Sequence, residues 1–343
     1  MAEGSARGAQ LCVLQSVAAP DGTTRFVDQV TRFAPPSIRF RFFSWRTALI
    51  GQWDVLHVHW PEFLLRGRNP AVEGIRTVFF ILLLLRLIVS QKKVVRTVHN
   101  IAPHDPGSRI ETLLIRLLDR RTDLFVRLND ETAVPYDKPS VLIPHGHYRD
   151  VLPLEARQES RPGRLLFFGR IEAYKNVDRL VGVFRGTTDL ALELRIVGKA
   201  SGEPRRRISE AADGDDRISL HFGFVPDHEM VAEMTSAQLV VLPYTEMHNS
   251  GIVLVALSLG RPVLVPSTPA NRLLADEVGR QWIRFFEGDL ETADIVDAVH
   301  STATAPSEGP ALDGRNWSVV GASYARAYQR AVDSRVPPKR GTS

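Results

Sequence analysis

Short apolar runs alternate with amphipathic stretches along this chain, and that alternation leaves few folds open. Leu11–Gln15, Val55–His59, Val94–Val98 and Leu124–Leu128 form a first series of candidate strands. A polar stretch containing Pro153, Arg157, Gln158, Glu159, Ser160 and Pro162 reads as a linker. A second series follows in Leu165–Gly169, Leu194–Val197, Leu239–Pro243 and Pro262–Val265, with Gly251–Leu259 as a buried helix between the last two. Asp227 is placed to cap a helix starting at His228. Apolar strands separated by helices predict parallel sheets covered by helices, and no repeat of fixed period competes with that reading. The expected fold is α/β, two Rossmann-like domains facing each other across a cleft. The first covers 11–152, a linker runs over 153–163, and the second covers 164–315. A helix over 316–333 is free to cross back to the first domain, and residues 1–10 and 334–343 read as disordered.

A chain of 343 residues has room for two hydrophobic cores. Its formal net charge of +4 suits an anionic small ligand or an anionic membrane surface. No basic helix or Arg-rich block interleaved with aromatics suggests nucleic-acid binding. Cys12 is the sole cysteine, so no internal disulfide can form and a reducing, cytoplasmic setting is expected. Met1–Gln10 lacks an apolar signal core. The most apolar run, Val78–Val89, is interrupted by Arg86 and falls short of the roughly 20 residues a membrane-spanning helix needs. Two readings of it stay open: a buried helix, or a helix at an anionic membrane surface with Arg76, Arg86, Lys92 and Lys93 as its cations.

In open α/β sheets ligands bind beyond the carboxyl ends of the strands, so the residues that follow each strand carry the functional signal. Val55–Val58 runs into His59, Trp60, Pro61 and Glu62, and Val94–Val98 runs into His99, Asn100 and then His104 and Asp105. Arg170 follows Leu165–Gly169, and Tyr244 and Glu246 follow Leu239–Pro243. In Phe168-Gly169-Arg170-Ile171-Glu172-Ala173-Tyr174-Lys175-Asn176 a glycine lets the backbone turn off the strand. The cations Arg170 and Lys175 then stand where they could hold a diphosphate and neutralise it as it leaves, without a metal; the bland alternative is a solvated loop. His248-Asn249-Ser250-Gly251 opens the buried helix and offers amides to a phosphate, or is a plain N-cap. His99 could hydrogen-bond a sugar hydroxyl or a phosphate, or cap a loop. Glu62 and Asp105 are candidate general bases, or solvated carboxylates. His57, His59, His99 and His104 match no familiar zinc spacing. A dinucleotide-binding glycine fingerprint, a P-loop and a nucleophile elbow are all missing from the sequence.

These residues carry a resemblance. Phe168-Gly169-Arg170 with Lys175-Asn176, Ile196-Val197-Gly198-Lys199, and Ser250-Gly251 through Gly260-Arg261-Pro262-Val263-Leu264 resemble the nucleotide-sugar domain of GT-B glycosyltransferases. They resemble especially the large family that includes sucrose synthases and bacterial mannosyltransferases. Leu56-His57-Val58-His59-Trp60-Pro61-Glu62 and Thr97-Val98-His99-Asn100-Ile101-Ala102-Pro103-His104 look like bacterial exopolysaccharide glycosyltransferases. The resemblance implies that Arg170 and Lys175 bind the donor diphosphate, with Gly198, Tyr244, Glu246 and Asn249 around the donor. Ser250 and Gly251 would contact the distal phosphate, and His99 would lie at the transferred sugar. His59, Trp60, Asn100 and His104 would line the acceptor side, with Tyr148 near the domain crossing. Such enzymes usually carry two glutamates about the phosphate-binding helix. Here those places hold Met247 or His248 and Val255 or Ala256, with Glu246 shifted, which leaves a retaining or an inverting outcome open.

The expected function is transfer of a hexosyl group from a nucleotide-diphosphate sugar to a glycan or lipid-linked acceptor, in cell-surface polysaccharide or glycolipid synthesis. No cofactor and no metal are expected, and peripheral membrane contact is. The alternatives are a GT-B nucleotide-sugar epimerase and a non-catalytic glycan- or nucleotide-binding protein of the same fold.

Overall fold

The computed structural model describes residues 10–20, 25–99, 107–245, 247, 250–304, 306 and 308–334. The chain divides into two compact units, one of residues up to Gly146 together with those from Arg315, the other His147–Gly314.

In the first unit the strands are β1 (Leu11–Gln15), β2 (Ile38–Phe42), β3 (Val55–Val58), β4 (Lys93–Val98), β5 (Leu124–Arg127) and β6 (Ser140–Leu142). They pair in parallel in the order β2-β1-β3-β4-β5-β6. The helices are α1 (Arg25–Arg32), α2 (Trp45–Ile50), α3 (Pro70–Val89) and α4 (Arg109–Arg121). In the second unit the strands are β7 (Arg164–Phe168), β8 (Glu193–Gly198), β9 (Ile218–Phe222), β10 (Leu239–Val241), β11 (Val263–Pro266) and β12 (Ile283–Phe286). Their order is β12-β11-β10-β7-β8-β9, again all parallel. Helices α5 (Val177–Arg185), α6 (Gly202–Ala212), α7 (Asp227–Ser236), α8 (Gly251–Ser258), α9 (Pro269–Val278) and α10 (Thr292–Ser301) cover that sheet, and α11 (Trp317–Asp333) belongs to the first unit.

Central strands of a covered parallel sheet are buried on both faces and read as unbroken apolar runs. β3 and β11 are buried at every position. Trp53, Leu56, Val58, Leu83, Leu87, Val94 and Leu118 form the core on one side of the first sheet. Leu166, Phe167, Val240, Leu254 and Leu264 lie at the centre of the second. The polar stretch after Pro153 is tied to the second unit: Gln158 N–H donates to Thr235 Oγ1 (2.8 Å) and Arg161 N–H to Ser236 O (2.9 Å). Asp227 is the first residue of α7, and Pro226 takes the capping position.

α3 is longer than the apolar run that announced it. Asn69 caps it by accepting from Val72 N–H (3.0 Å), and Pro70 fits its first turn. Phe80, Leu83, Leu84 and Leu87 are buried, while Ile75, Val78, Leu82, Leu85 and Val89 form an exposed stripe on the other side. No described helix is long and apolar enough to cross a membrane. Arg86 turns inward: it donates to Ala48 O (2.9 Å) and Gly51 O (2.5 Å), with its guanidinium 5.1 Å from the Trp53 ring centroid. Lys92 also stacks on Trp53, at 4.6 Å. Two of the cations expected to face a membrane are therefore spent on the protein's own core.

α11 closes the first unit by packing on α1 and β4, with Trp317, Tyr324 and Tyr328 fully buried. Gly321 makes this approach possible, since a Cβ there would sit 2.4 Å from Phe33 O, a backbone atom. Gly321→Ala should therefore push α11 off α1 and destabilise the first unit by about 1–3 kcal/mol, read as a lower chemical-denaturation midpoint. An unchanged midpoint would mean that α11 is not held at this distance.

Candidate active site

Each sheet reverses its winding once, and the carboxyl ends at that switch point are where an open α/β sheet receives a ligand. In the second unit the switch lies between β7 and β10. Gly169 leaves β7 with φ +133° and Gly198 leaves β8 with φ +150°, a region that glycine alone visits at little cost. The two cross closely: a Cβ on Gly198 would lie 1.9 Å from Gly169 O. The crossing is locked by Gly169 N–H to Val197 O (3.0 Å) and Ile171 N–H to Lys199 O (2.9 Å).

The turn delivers two cations in different states. Arg170 is exposed, with Glu172 at 3.8 Å. Lys175 is buried; its Nζ donates to Arg170 O (2.7 Å) and lies 5.2 Å from the Tyr244 ring centroid and 5.8 Å from that of Tyr174. Burial lowers its pKa to about 8, opposed by Glu172 and reinforced by Arg170, so the ammonium keeps its proton at neutral pH. A Cβ on Gly169 would stand 3.8 Å from this Nζ, so the bare glycine leaves open the space beside the ammonium. Tyr244 follows β10; its hydroxyl bonds Ser250, and burial raises its pKa. Ser250 is the N-cap residue of α8 but makes no side-chain cap, so its hydroxyl serves Tyr244 and not the first amides of α8. Thr245 ties this loop to the Lys175 turn, donating N–H (3.2 Å) and Oγ1–H (3.0 Å) to Tyr174 O. Arg170, Lys175, Gly198, Tyr244, Ser250 and Gly251 thus all stand at the carboxyl ends of β7, β8 and β10 or on the helix after β10. Glu246, His248 and Asn249 lie outside the described residues.

In the first unit the switch lies between β1 and β3, and a polar cluster fills it. His59 Nδ1 is 3.0 Å from His99 Nε2, and His59 Nε2 is 2.9 Å from Gln15 Oε1. His57 Nε2 bonds Thr97 Oγ1 (2.8 Å), and Tyr328 Oη bonds His57 Nδ1 (2.8 Å). The Trp60 ring stacks on His99, centroids 4.2 Å apart and planes 19° apart. Phe26 packs edge-on to His99 and against His145, which also meets Trp317. Burial lowers the pKa of His57 to about 3 and of His145 to about 4, and holds His59 and His99 well below the ordinary imidazole range. All four are neutral at pH 7. Among the described residues no group of three or more His, Cys, Asp or Glu side chains is arranged to hold a metal ion.

Glu62 sits in the short helix after β3, in an ion-pair field that sequence reading missed. Arg66 forks onto Glu111 (2.9 Å), and Arg96 pairs with Asp119. Burial raises the Glu62 pKa despite the opposing pull of its own backbone N–H, Arg96 and Arg66. Asn100, His104 and Asp105 lie outside the described residues. Gln15, Tyr324 and Tyr328 also escaped the sequence reading. Their only signal was position, Gln15 at a strand's end and the two tyrosines one helical turn apart.

Neutral buried histidines make the first unit acid-sensitive. Unfolded imidazoles take a proton near pH 6.5. The folded ones refuse it until about 3 for His57 and about 4 for His145. Below pH 6.5 the unfolded state therefore binds more protons, and stability falls as pH drops, by up to about 1.4 kcal/mol per pH unit for each histidine. His145→Gln should flatten the fall of the melting temperature between pH 6.5 and 4. An unchanged slope would show that His145 titrates normally in the folded state.

Comparison with known proteins agrees with this geometry. Residues 162–302 match the family described as "Glycosyl transferases group 1". A GDP-mannose:glycolipid 4-beta-D-mannosyltransferase of Xanthomonas campestris pv. campestris is 38% identical over 332 residues, 96% of this chain and 95% of that protein. Sucrose-phosphate synthase from Thermosynechococcus elongatus has a similar fold, with TM-score 0.64 and 13% identity over 94% of this chain and 98% of that one. Anabaena HepE in complex with UDP and glucose gives TM-score 0.58 at 13% identity, covering 94% and 95%. The chain belongs to the group 1 glycosyltransferases and is a GT-B enzyme that takes its sugar from a nucleotide-diphosphate donor.

Proposed function

We propose that the protein is an inverting mannosyltransferase that moves mannose from GDP-mannose to a glycolipid hydroxyl. The observation that carries the donor half is the buried ammonium of Lys175 at the second unit's switch point. Its hydrogen-bond partner among the described residues is a single carbonyl, which leaves two of its three donors for phosphate oxygens. With Arg170 and the α8 amides it supplies positive charge where the diphosphate departs, without a metal. Sugar and acceptor come from the name of the Xanthomonas relative. The mannosyl bond of GDP-mannose is α, so a β product requires inversion in one displacement. The acceptor oxygen attacks C1 as the C1–O bond to the diphosphate breaks, and the hydroxyl proton needs a base. Glu62, a partly buried carboxylate with a raised pKa, is suited to that role. An inverting reaction also needs no carboxylates at the places where Met247 or His248 and Val255 or Ala256 stand. His99, neutral and stacked on Trp60, would accept a hydrogen bond from a sugar hydroxyl.

Release of GDP from GDP-mannose in the presence of a lipid-linked glycan, with EDTA added, tests this reading. Lys175→Ala and Arg170→Ala should each weaken donor binding by roughly ten- to hundredfold, the loss of one charge-assisted bond. Glu62→Gln should lower kcat while sparing donor affinity. Wild-type donor affinity in both cation variants would move the donor site elsewhere, and full loss of activity in EDTA would overturn the metal-free mechanism.

A glycolipid acceptor calls for a membrane surface, and the exposed stripe of α3 supplies an apolar one. Ile75, Val78, Leu82, Leu85 and Val89 recur at three- and four-residue spacing, and Ile110, Leu113 and Leu117 of the adjoining α4 are exposed too. Arg109 and Arg116, exposed on α4, provide the cations that Arg86 and Lys92 do not. Such a face binds anionic bilayers peripherally. The protein should float with anionic vesicles at low salt and less at high salt. Leu82→Glu with Leu85→Glu should abolish flotation without lowering the melting temperature, because both side chains are exposed. No flotation at low salt would favour a soluble acceptor.

A further inference from the structure

We infer that Gln15 and Tyr328 are positioning residues that fix the tautomer of His99, so that its Nε2 carries the proton and its Nδ1 is the accepting nitrogen. The inference rests on the reading of His99 as a contact of the transferred sugar. Its own basis is a chain of hydrogen bonds running from α11 into the switch point of the first sheet.

The Gln15 side chain is fully buried and held at both ends, with Nε2 3.4 Å from Tyr328 Oη and Oε1 2.9 Å from His59 Nε2. At 3.4 Å this contact is long for either kind of hydrogen bond, whereas His57 Nδ1 stands much closer to the Tyr328 hydroxyl, so Tyr328 does not give its proton to Gln15. It donates instead to His57 Nδ1 at 2.8 Å. The amide then turns its N–H₂ to Tyr328 and its carbonyl to His59. An amide oxygen only accepts, so His59 carries its proton on Nε2. A neutral imidazole has one N–H, which makes His59 Nδ1 an acceptor. His99 Nε2, 3.0 Å away, must therefore be the donor. Nδ1 is then the accepting nitrogen of His99. His57 follows the same rule from its other side: it accepts at Nδ1 from Tyr328 and donates from Nε2 to Thr97 Oγ1, which bonds Tyr324 Oη at 3.1 Å.

The relay works only while every imidazole is neutral, since one added proton would turn an acceptor into a donor. The groups facing it are Tyr324 and Tyr328 from α11, Thr97 and Arg96 from β4, His145 after β6, and Phe26 from α1. None of these is a carboxylate. Burial, the neighbouring histidines and Arg96 all lower the His99 pKa and favour the neutral ring.

Long-range ¹H–¹⁵N NMR of the histidine side chains reads the tautomers directly. In the wild type His57, His59 and His99 should all be Nε2–H. Tyr328→Phe keeps the ring but removes the anchor of the Gln15 amide, and Gln15→Met keeps the shape but removes the acceptor for His59. Both should mix the His99 tautomers and lower kcat on the order of tenfold with donor KM unchanged, the scale of an outer hydrogen-bond partner. Tyr324→Phe, beyond His57 from this branch, should leave His99 as it is. An Nδ1–H His99 in the wild type, or one unmoved in both variants while thermal melts show them folded, would overturn the relay. A shifted tautomer with wild-type kcat would uphold the relay and overturn instead the reading of His99 as a sugar contact.

Discussion

A parallel sheet covered by helices on both faces has used its surfaces before any ligand arrives. What remains open is the set of carboxyl ends, and above all the point where the winding reverses and two loops diverge. Both units obey this constraint. The second has its cations, bare glycines and helix start beside the reversal between β7 and β10. The first has its histidines beside the reversal between β1 and β3. The geometry of each site follows from the strand order, and its chemistry from the residues that follow the strands.

The two sites solve the desolvation problem in opposite ways. In the second unit Lys175 keeps a charge in a buried place through one carbonyl, two aromatic faces and a nearby carboxylate. That charge is held at a cost, and a phosphate would repay it. In the first unit no charge is kept among the histidines. His57, His59 and His99 are neutral and satisfy one another, so the cluster is polar without being ionic.

Sequence reading found β1, β3, β4 and β5 of one sheet and β7, β8, β10 and β11 of the other. It missed β2, β6, β9 and β12, which are the four edges. An edge strand is wet on one side and reads as mixed: Ile38-Arg39-Phe40-Arg41-Phe42 alternates with arginine, and Ile218–Phe222 is only partly buried. The loop residues at the sites were legible because they follow apolar runs directly. Gln15 was not, because it ends a buried strand and its partner Tyr328 lies more than three hundred residues away. Arg86 and Lys92 misled for the same reason. A cation in an apolar run looks solvated until Trp53 and the carbonyls of α2 are brought beside it.

The division between a charged site and a neutral one matches what glycosyl transfer requires. The leaving diphosphate gains negative charge as its bond to C1 breaks, and fixed cations and amides stabilise it most when they need not reorganise. The sugar moves the other way, toward an oxocarbenium-like, electron-poor ring, and a cation near it would raise the barrier. A neutral acceptor such as His99 can hold a sugar hydroxyl without that penalty, provided burial keeps the proton off it. In the proposed reaction acid would defeat both requirements, charging imidazoles that would face the sugar and protonating Glu62, the proposed base. The burial that makes the first unit acid-sensitive also keeps positive charge out of its histidine cluster, so in the proposed reaction stability and function would depend on the same buried rings.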